Sequence, residues 1–199
     1  ACNTASAQAL PSLRAMTEMP VIGVVEPGAL AAVETTRSGR VGIAGTEATV
    51  RSGAYHQALR ALRGDLELFA QPWPLLVPFA EEGWIEHAAT RLVLSTYLEP
   101  FVTAKVDTIV LGCTHYPLFK GVIQSVLAEE FQRTDIALVD SAEALTAQLA
   151  ELLASHDLAA PERAGRRTFF CTDAPERFTR VGGQFFPSGD LSTTTSVDL

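Results

Sequence analysis

A cysteine and a histidine lie close together after an apolar run in the second half of the chain. Cys113 follows the run at 107–112, and His115 comes two residues later. The thiolate is the reactive form of cysteine, and the N-terminal end of a helix lowers the pKa of a nearby thiol from about 8.5. Because the run predicts a strand and Pro117 predicts a helix start, we expect a lowered pKa at Cys113, with His115 placed to orient or protonate a group nearby.

A second cysteine has a similar setting at the start of the chain. The segments 1–4 and 112–115 both read small–Cys–polar–polar, and Cys113 comes 111 positions after Cys2. A lone cysteine is most often a small buried hydrophobe, which is how we interpret Cys171 at the end of another predicted strand. The repeated motif, at the length of a small α/β domain, favours two similar halves that each present a thiol at a strand end.

The other ionisable residues indicate no metal or cofactor site. Glu81 and Glu82 follow an apolar run, where acidic residues are usually solvated. Cys113 and His115 lack the spacing of a zinc site. The sequence contains no Gly-x-Gly-x-x-Gly or Walker loop, which disfavours dinucleotides and nucleoside triphosphates. Lysine occurs only at positions 105 and 120, which also disfavours pyridoxal phosphate.

Short β-branched runs alternate with longer helical patterns over most of the chain. We predict strands at 21–25, 41–44, 66–69, 107–111, 136–139 and 167–170, and helices at 29–36, from 45 onward, 85–102, after Pro117, 141–154 and 174–181, with a frayed tail from Pro187 to Leu199. This alternation predicts an α/β fold with a mainly parallel sheet and flanking helices. Ligands of such sheets bind at the carboxyl ends of the strands.

Composition excludes several classes of protein. Apolar residues make up 47% and charged residues 19% of the 199 residues, which is a globular composition without the unbroken apolar stretch that a membrane span needs. The net charge of −8 argues against nucleic-acid binding. Three widely spaced cysteines do not form a disulfide framework and suggest a reducing compartment. No signal peptide is visible, so we expect a cytoplasmic protein.

Taken together, six segments resemble the glutamate racemase family of the aspartate/glutamate racemase superfamily. They occur in the family's order, and the pair of cysteine motifs is highly specific. The segments are Ala1-Cys2-Asn3-Thr4-Ala5-Ser6-Ala7, 21–28 (VIGVVEPG), 45–50 (GTEATV), 77–83 (VPFAEEG), 111–118 (LGCTHYPL) and 139–142 (VDSA).

The resemblance implies two similar α/β domains with the active site between them, and racemisation of L- and D-glutamate without a cofactor or a metal. Cys2 and Cys113 would be the two catalytic thiols, and D-glutamate would be supplied for peptidoglycan. Glu81, rather than Glu82, would assist Cys113 together with His115. The residues expected to hold the substrate carboxylates and amine are Asn3, Thr4, Thr46, Thr49 and Thr114. The only partners expected are the substrate and a second copy of the chain in a homodimer, without nucleic acid or membrane.

The chain also departs from the family pattern. The family has an N-terminal segment of about seventy residues before its first cysteine motif, including an Asp that assists the first thiol. The first domain here would be 1–25 plus 136–199, lacking its leading strands, and the second domain would be 26–135. We therefore expect residues 1–199 alone to be inactive or nearly so. Two alternatives stay open: an aspartate racemase, and a non-enzymatic fragment or a family member that binds another protein such as DNA gyrase.

Overall fold

The computed structural model describes residues 2–160, 168–186, 191 and 194–198. Helices and strands alternate along most of this part of the chain. In order they are α1 (Asn3–Ala15), α2 (Val25–Thr35), β1 (Arg40–Gly45), α3 (Glu47–Ser52), α4 (Ala54–Leu62), β2 (Glu67–Pro72), α5 (Leu76–Glu81), α6 (Ala88–Thr103), β3 (Thr108–Gly112), a 3-10 helix (Tyr116–Phe119), α7 (Lys120–Phe131), β4 (Ala137–Asp140), α8 (Ser141–Ser155), β5 (Phe170–Cys171), α9 (Pro175–Gly182) and β6 (Thr195–Ser196).

Four of the strands form one parallel sheet in the order β2-β1-β3-β4. β5 and β6 form a separate two-stranded parallel pair. The α/β fold with a parallel sheet and flanking helices is confirmed. All four carboxyl ends of the larger sheet lie along the same edge, which is where ligands of parallel sheets bind.

Both faces of the larger sheet are covered, because successive residues of its central strands are buried on opposite sides. Ile109 and Leu111 of β3 pack into a core with Phe101 of α6. Val110, between them in sequence, packs into a second core with Leu59 of α4. A strand buried on both faces needs apolar side chains on both sides. The residues at 109–111 are therefore continuously apolar instead of alternating with polar ones.

The predicted strand at 21–25 is wrong. Residues 21–24 form no strand, and α2 begins at Val25. Val24 and Val25 are buried all the same, because the start of α2 packs inward. A short β-branched run cannot by itself distinguish a buried strand from the start of a buried helix.

Other boundaries differ more modestly from the prediction. The helix predicted from residue 45 is two helices, α3 and α4, separated by Gly53 in the left-handed conformation with φ of +68°. Pro117 does lie at the start of a helix, although this first turn is 3-10. The helix predicted at 141–154 is α8, and Asp140 caps it by accepting hydrogen bonds from the backbone N–H groups of Ala142 and Glu143. In the predicted frayed tail, residues 187–190, 192, 193 and 199 lie outside the described residues, and β6 pairs with β5.

The division into domains at 1–25 plus 136–199 and 26–135 stays a prediction. The predicted boundary between residues 135 and 136 separates β3 from β4. These two strands are hydrogen-bonded neighbours in one sheet, with Leu138 opposite Ile109. Within the described residues, no helix has both the length and the apolar character needed to cross a membrane.

Candidate functional site

The residues that the sequence singled out follow the carboxyl ends of neighbouring strands. Thr46 follows β1 and Cys113 follows β3. Ser141, which the sequence does not single out as a site residue, follows β4. α5, which ends at Glu81, comes after β2 at the same edge of the sheet. Residues far apart in sequence therefore meet at one edge.

The cysteine motif at the start of the chain is brought to this edge by the first turn of α1. Cys2 is the exposed N-cap residue of α1. Thr4 Oγ1 lies 2.9 Å from Thr46 Oγ1 and 3.0 Å from Thr49 Oγ1. Thr46 Oγ1 and Thr49 Oγ1 are 3.0 Å apart, so the three hydroxyl groups form a triangle. Hydroxyls clustered in this way can turn their protons toward a carboxylate.

Asn3, expected to hold substrate, is enclosed in a buried network instead of facing the solvent. Tyr55 donates a 2.6 Å hydrogen bond to Asn3 Oδ1, and Asn3 Nδ2 donates to Ser141 Oγ at 3.2 Å. All three residues are at most 2% exposed. Burial raises the pKa of Tyr55 far above its ordinary value, so its hydroxyl remains a donor at all physiological pH values. The network fixes the backbone next to Cys2.

Cys113 lies beside a histidine and a glutamate. Its Sγ is 3.9 Å from His115 Nδ1, and His115 Nε2 is 3.6 Å from Glu81 Oε1. The segment that carries Cys113 is fixed by the buried Tyr116, whose hydroxyl lies 2.7 Å from the carbonyl oxygen of Trp73. His115 thus lies between Cys113 and Glu81, and we call these three residues the relay; the assisting roles expected of His115 and Glu81 stay predictions.

The expected lowering of the pKa of Cys113 is wrong. Burial raises its pKa to about 11, and hydrogen bonds from the backbone of His115 and Tyr116 oppose this only in part. A charge on Cys2 raises it further. The thiol is 6% exposed, and desolvation disfavours its charged form more than the turn after β3 stabilises it. In the free protein Cys113 is therefore a neutral thiol.

This protonation state predicts how Cys113 reacts. Only the thiolate is alkylated, and below the pKa the thiolate fraction of Cys113 rises about tenfold per pH unit. The rate at which Cys113 reacts with iodoacetamide should therefore rise about tenfold per pH unit and reach no plateau by about pH 10. The rate is measured by mass spectrometry of the peptide that contains Cys113. The partly exposed Cys171 in the same sample controls for reagent decay. A plateau below about pH 9 would contradict the raised pKa.

A cleft of about 720 Å³ opens beside the relay and is lined by both Glu81 and Thr114. Its opposite wall is α9, with Arg177, Phe178 and Phe185 among its lining residues. The cleft joins the Cys113 motif to the solvent. In the part of the chain that the structure describes, no cluster of three or more His, Cys, Asp or Glu could hold a metal ion.

The structure thus gathers the sequence-predicted residues in two groups, one around Cys2 and one around Cys113. Three further residues join these groups. In the sequence, Tyr55 is one more aromatic residue on a predicted helix, and Ser141 is the start of another. Arg177 carried no signal in the sequence, because it meets Glu81 only through the docking of α9.

A family model matches most of the chain. The model described as Asp/Glu/Hydantoin racemase covers residues 1–149. The matched range contains every residue singled out at the two cysteine motifs, and it ends within α8.

Individual relatives and solved structures agree with this match. A glutamate racemase of Geobacter metallireducens is 46% identical over the whole chain, which spans 72% of that protein. The crystal structure of the glutamate racemase isoform RacE1 of Bacillus anthracis superposes with a TM-score of 0.91 at 31% identity, with the chain spanning 72% of it. The crystal structure of a glutamate racemase of Francisella tularensis in complex with D-glutamate superposes with a TM-score of 0.87 at 28% identity, and the chain spans 71% of it. In both structural comparisons the whole of this chain is covered.

Proposed function

Since the chain belongs to the Asp/Glu/Hydantoin racemase family and, within it, to the glutamate racemases, which are isomerases, we propose a function for the full-length protein. It interconverts L- and D-glutamate by proton transfer between two thiols, Cys2 and Cys113. The observation that supports this most is that the two cysteine motifs meet at one edge of the sheet. Thr4 lies in hydrogen-bond range of Thr46, which follows β1, and β1 pairs with β3, the strand that Cys113 follows.

The reaction needs an acid and a base on opposite faces of one carbon. The thiolate on one face takes the α-proton, so that the Cα–H bond breaks, an S–H bond forms and a carbanion remains. The thiol on the other face gives its proton to the carbanion and becomes the thiolate. No electrons are gained or lost overall, and the protonation states of the two thiols are exchanged.

The resting state of Cys113 fits the acid half of this exchange. Because burial raises its pKa to about 11, Cys113 carries the proton that would be delivered to the carbanion. His115, when protonated, can compensate for the charge left on sulfur, and Glu81 stabilises that protonated form from the other side of the ring. Cys2 is then the base in that direction, and the roles reverse in the other.

The triangle of threonine hydroxyls fits one carboxylate of the substrate. Thr49 is 1% exposed, and its backbone N–H donates to Thr46 Oγ1 at 3.1 Å. The hydroxyl protons, which are shared within the triangle, can turn toward an anion that binds there. Stabilising negative charge near the α-carbon matters here because no cofactor is proposed to delocalise the carbanion. Thr114, at the cleft, would contact the other end of the substrate. Asn3 is buried against Tyr55, so we assign it primarily to holding Cys2 in place.

Glutamate is the proposed substrate, in preference to aspartate. We expect a higher kcat/KM for glutamate in an assay by circular dichroism on both enantiomers of each amino acid, with no added cofactor and with EDTA present. This preference is supported by the glutamate racemase of Geobacter metallireducens, which is 46% identical over the whole chain. An equal or higher kcat/KM for aspartate would overturn the assignment.

The biological role follows from the product. D-glutamate would enter peptidoglycan, in the cytoplasm, and we propose a homodimer as the working form. Binding to DNA gyrase or another protein in place of catalysis is the alternative, and it predicts that glutamate of either hand is left unchanged in the assay above.

A further inference from the structure

The carboxylate of Glu81 is shared between two cationic partners. Oε1 lies 3.6 Å from His115 Nε2, and Oε2 is in direct contact with Arg177 Nη2. The Glu81 side chain is 26% exposed, so this is a half-buried ion pair at the wall of the cleft. Arg177 therefore fixes the orientation of the group that faces His115.

Arg177 reaches Glu81 because α9 and the residues after it dock on the end of α5. Arg180 donates to the backbone carbonyl oxygen of Glu81 at 3.2 Å, and Gln184 donates to that of Ala80 at 2.9 Å. The ring of Phe185 meets that of His115 edge-on, with 6.2 Å between the ring centroids. These contacts hold α9 in place without using the Glu81 carboxylate.

We propose that Arg177 is a positioning residue of the racemase: it pairs with Oε2 of Glu81 and so partly neutralises the carboxylate whose Oε1 faces His115. The proposal rests on the proposed function for its meaning in catalysis. The contact geometry itself is independent of that function.

The charged and titratable groups around His115 and Glu81 come from only a few helices and strands. His115 faces Cys113 from the end of β3 and Glu81 from α5. Glu81 faces His115 and, from α9, Arg177, while Arg180 meets only its backbone. Asp173, just before α9, lines the same cleft. A change of charge at Arg177 therefore acts on His115 chiefly through Glu81.

The direction of the effect follows from these contacts. Burial lowers the pKa of His115 below its ordinary value, and the Glu81 charge opposes that shift. Without Arg177, the full negative charge of Glu81 would act on His115, and protonated His115 would be favoured. We expect Arg177→Gln to raise the pKa of His115 by on the order of 0.5 unit, given two groups a few ångströms apart at a partly screened surface.

The test has two readouts on the same variants. The imidazole of His115 is titrated by NMR, with the signal assigned through His115→Gln, and the pH profile of kcat is measured for glutamate racemisation. Arg177→Gln should move the His115 titration and the acidic limb of the kcat profile to higher pH by about the same amount. Arg177→Lys, which keeps the charge, should restore most of the original position.

Arg180→Gln is the matched control, because it removes an arginine from the same helix that contacts Glu81 only through its backbone. Its curves should superpose on the wild type. Overlap of the Arg177→Gln curves with the wild type, or an equal shift in Arg180→Gln, would overturn the proposal. The NMR titration gives its answer whether or not glutamate is racemised, so a failure of the proposed function is distinguishable from a failure of this inference.

Discussion

In the full-length protein, replacing either Cys2 or Cys113 by alanine is expected to lower glutamate racemisation at least about a thousandfold, a loss of roughly 4 kcal/mol in transition-state stabilisation. Each face of the α-carbon has a single proton donor or acceptor in the proposed arrangement, so neither thiol can substitute for the other. Circular dichroism on both enantiomers measures the loss. Retention of a tenth of the wild-type rate in either variant would exclude the two-thiol mechanism.

Cys171→Ala is the matched control, since Cys171 ends β5 and is partly exposed outside the relay. Its racemisation rate should equal that of the wild type. Each of the two inactive variants keeps one thiol, which faces only one side of the α-carbon. In deuterium oxide, one variant should therefore exchange the α-hydrogen of L-glutamate only, and the other variant that of D-glutamate only. Loss of exchange with both enantiomers in both variants would point to loss of substrate binding instead.

The sequence predicted the part of the fold that depends on local pattern. The apolar runs at β1, β3 and β4 were recognisable because strands buried on both faces need apolar residues throughout. Knowing that parallel strands end at one edge was then enough to bring Thr46 and Cys113 together. The resemblance to racemases supplied the roles, which neither spacing nor composition could provide.

What the sequence could not predict depends on packing between distant elements. Tyr55 looks like any apolar helix position until its hydroxyl is seen to reach Asn3 across the site. Arg177 meets Glu81 only because α9 docks on α5. The pKa of Cys113 was misjudged for the same reason: the helix start after β3 is visible in sequence, whereas the desolvation that outweighs it is set by the surrounding core.

The packing around Tyr55 explains why glycine precedes Cys113. A Cβ atom at Gly112 would lie 2.9 Å from the backbone oxygen of Ala44 and 3.1 Å from Cε2 of Tyr55. Neither group can yield easily, since one is in the neighbouring strand and the other is a ring that is 1% exposed. Gly112 thus lets the Tyr55 ring pass between the two cysteine motifs and reach Asn3.

Gly112→Ala should therefore lower both stability and activity. We expect a loss of about 1–3 kcal/mol in the free energy of unfolding, from overpacking against β1 and Tyr55. We also expect a fall of about a hundredfold in kcat, because a displacement of about 1 Å at the adjacent Cys113 misplaces its thiol. Urea denaturation and racemisation kinetics measure the two effects.

Gly121→Ala separates this packing effect from the general effect of adding a methyl group to a glycine. Gly121 lies in α7, where a Cβ would meet nothing within 4 Å, so alanine there should stabilise the protein by about 0.5–1 kcal/mol and leave kcat unchanged. Opposite signs in the two variants would attribute the loss at Gly112 to the closeness of Ala44 and Tyr55. If Gly112→Ala kept the wild-type stability and rate, the glycine would not be required for the approach of Tyr55, and the two cysteine motifs would have to be held in register by other contacts.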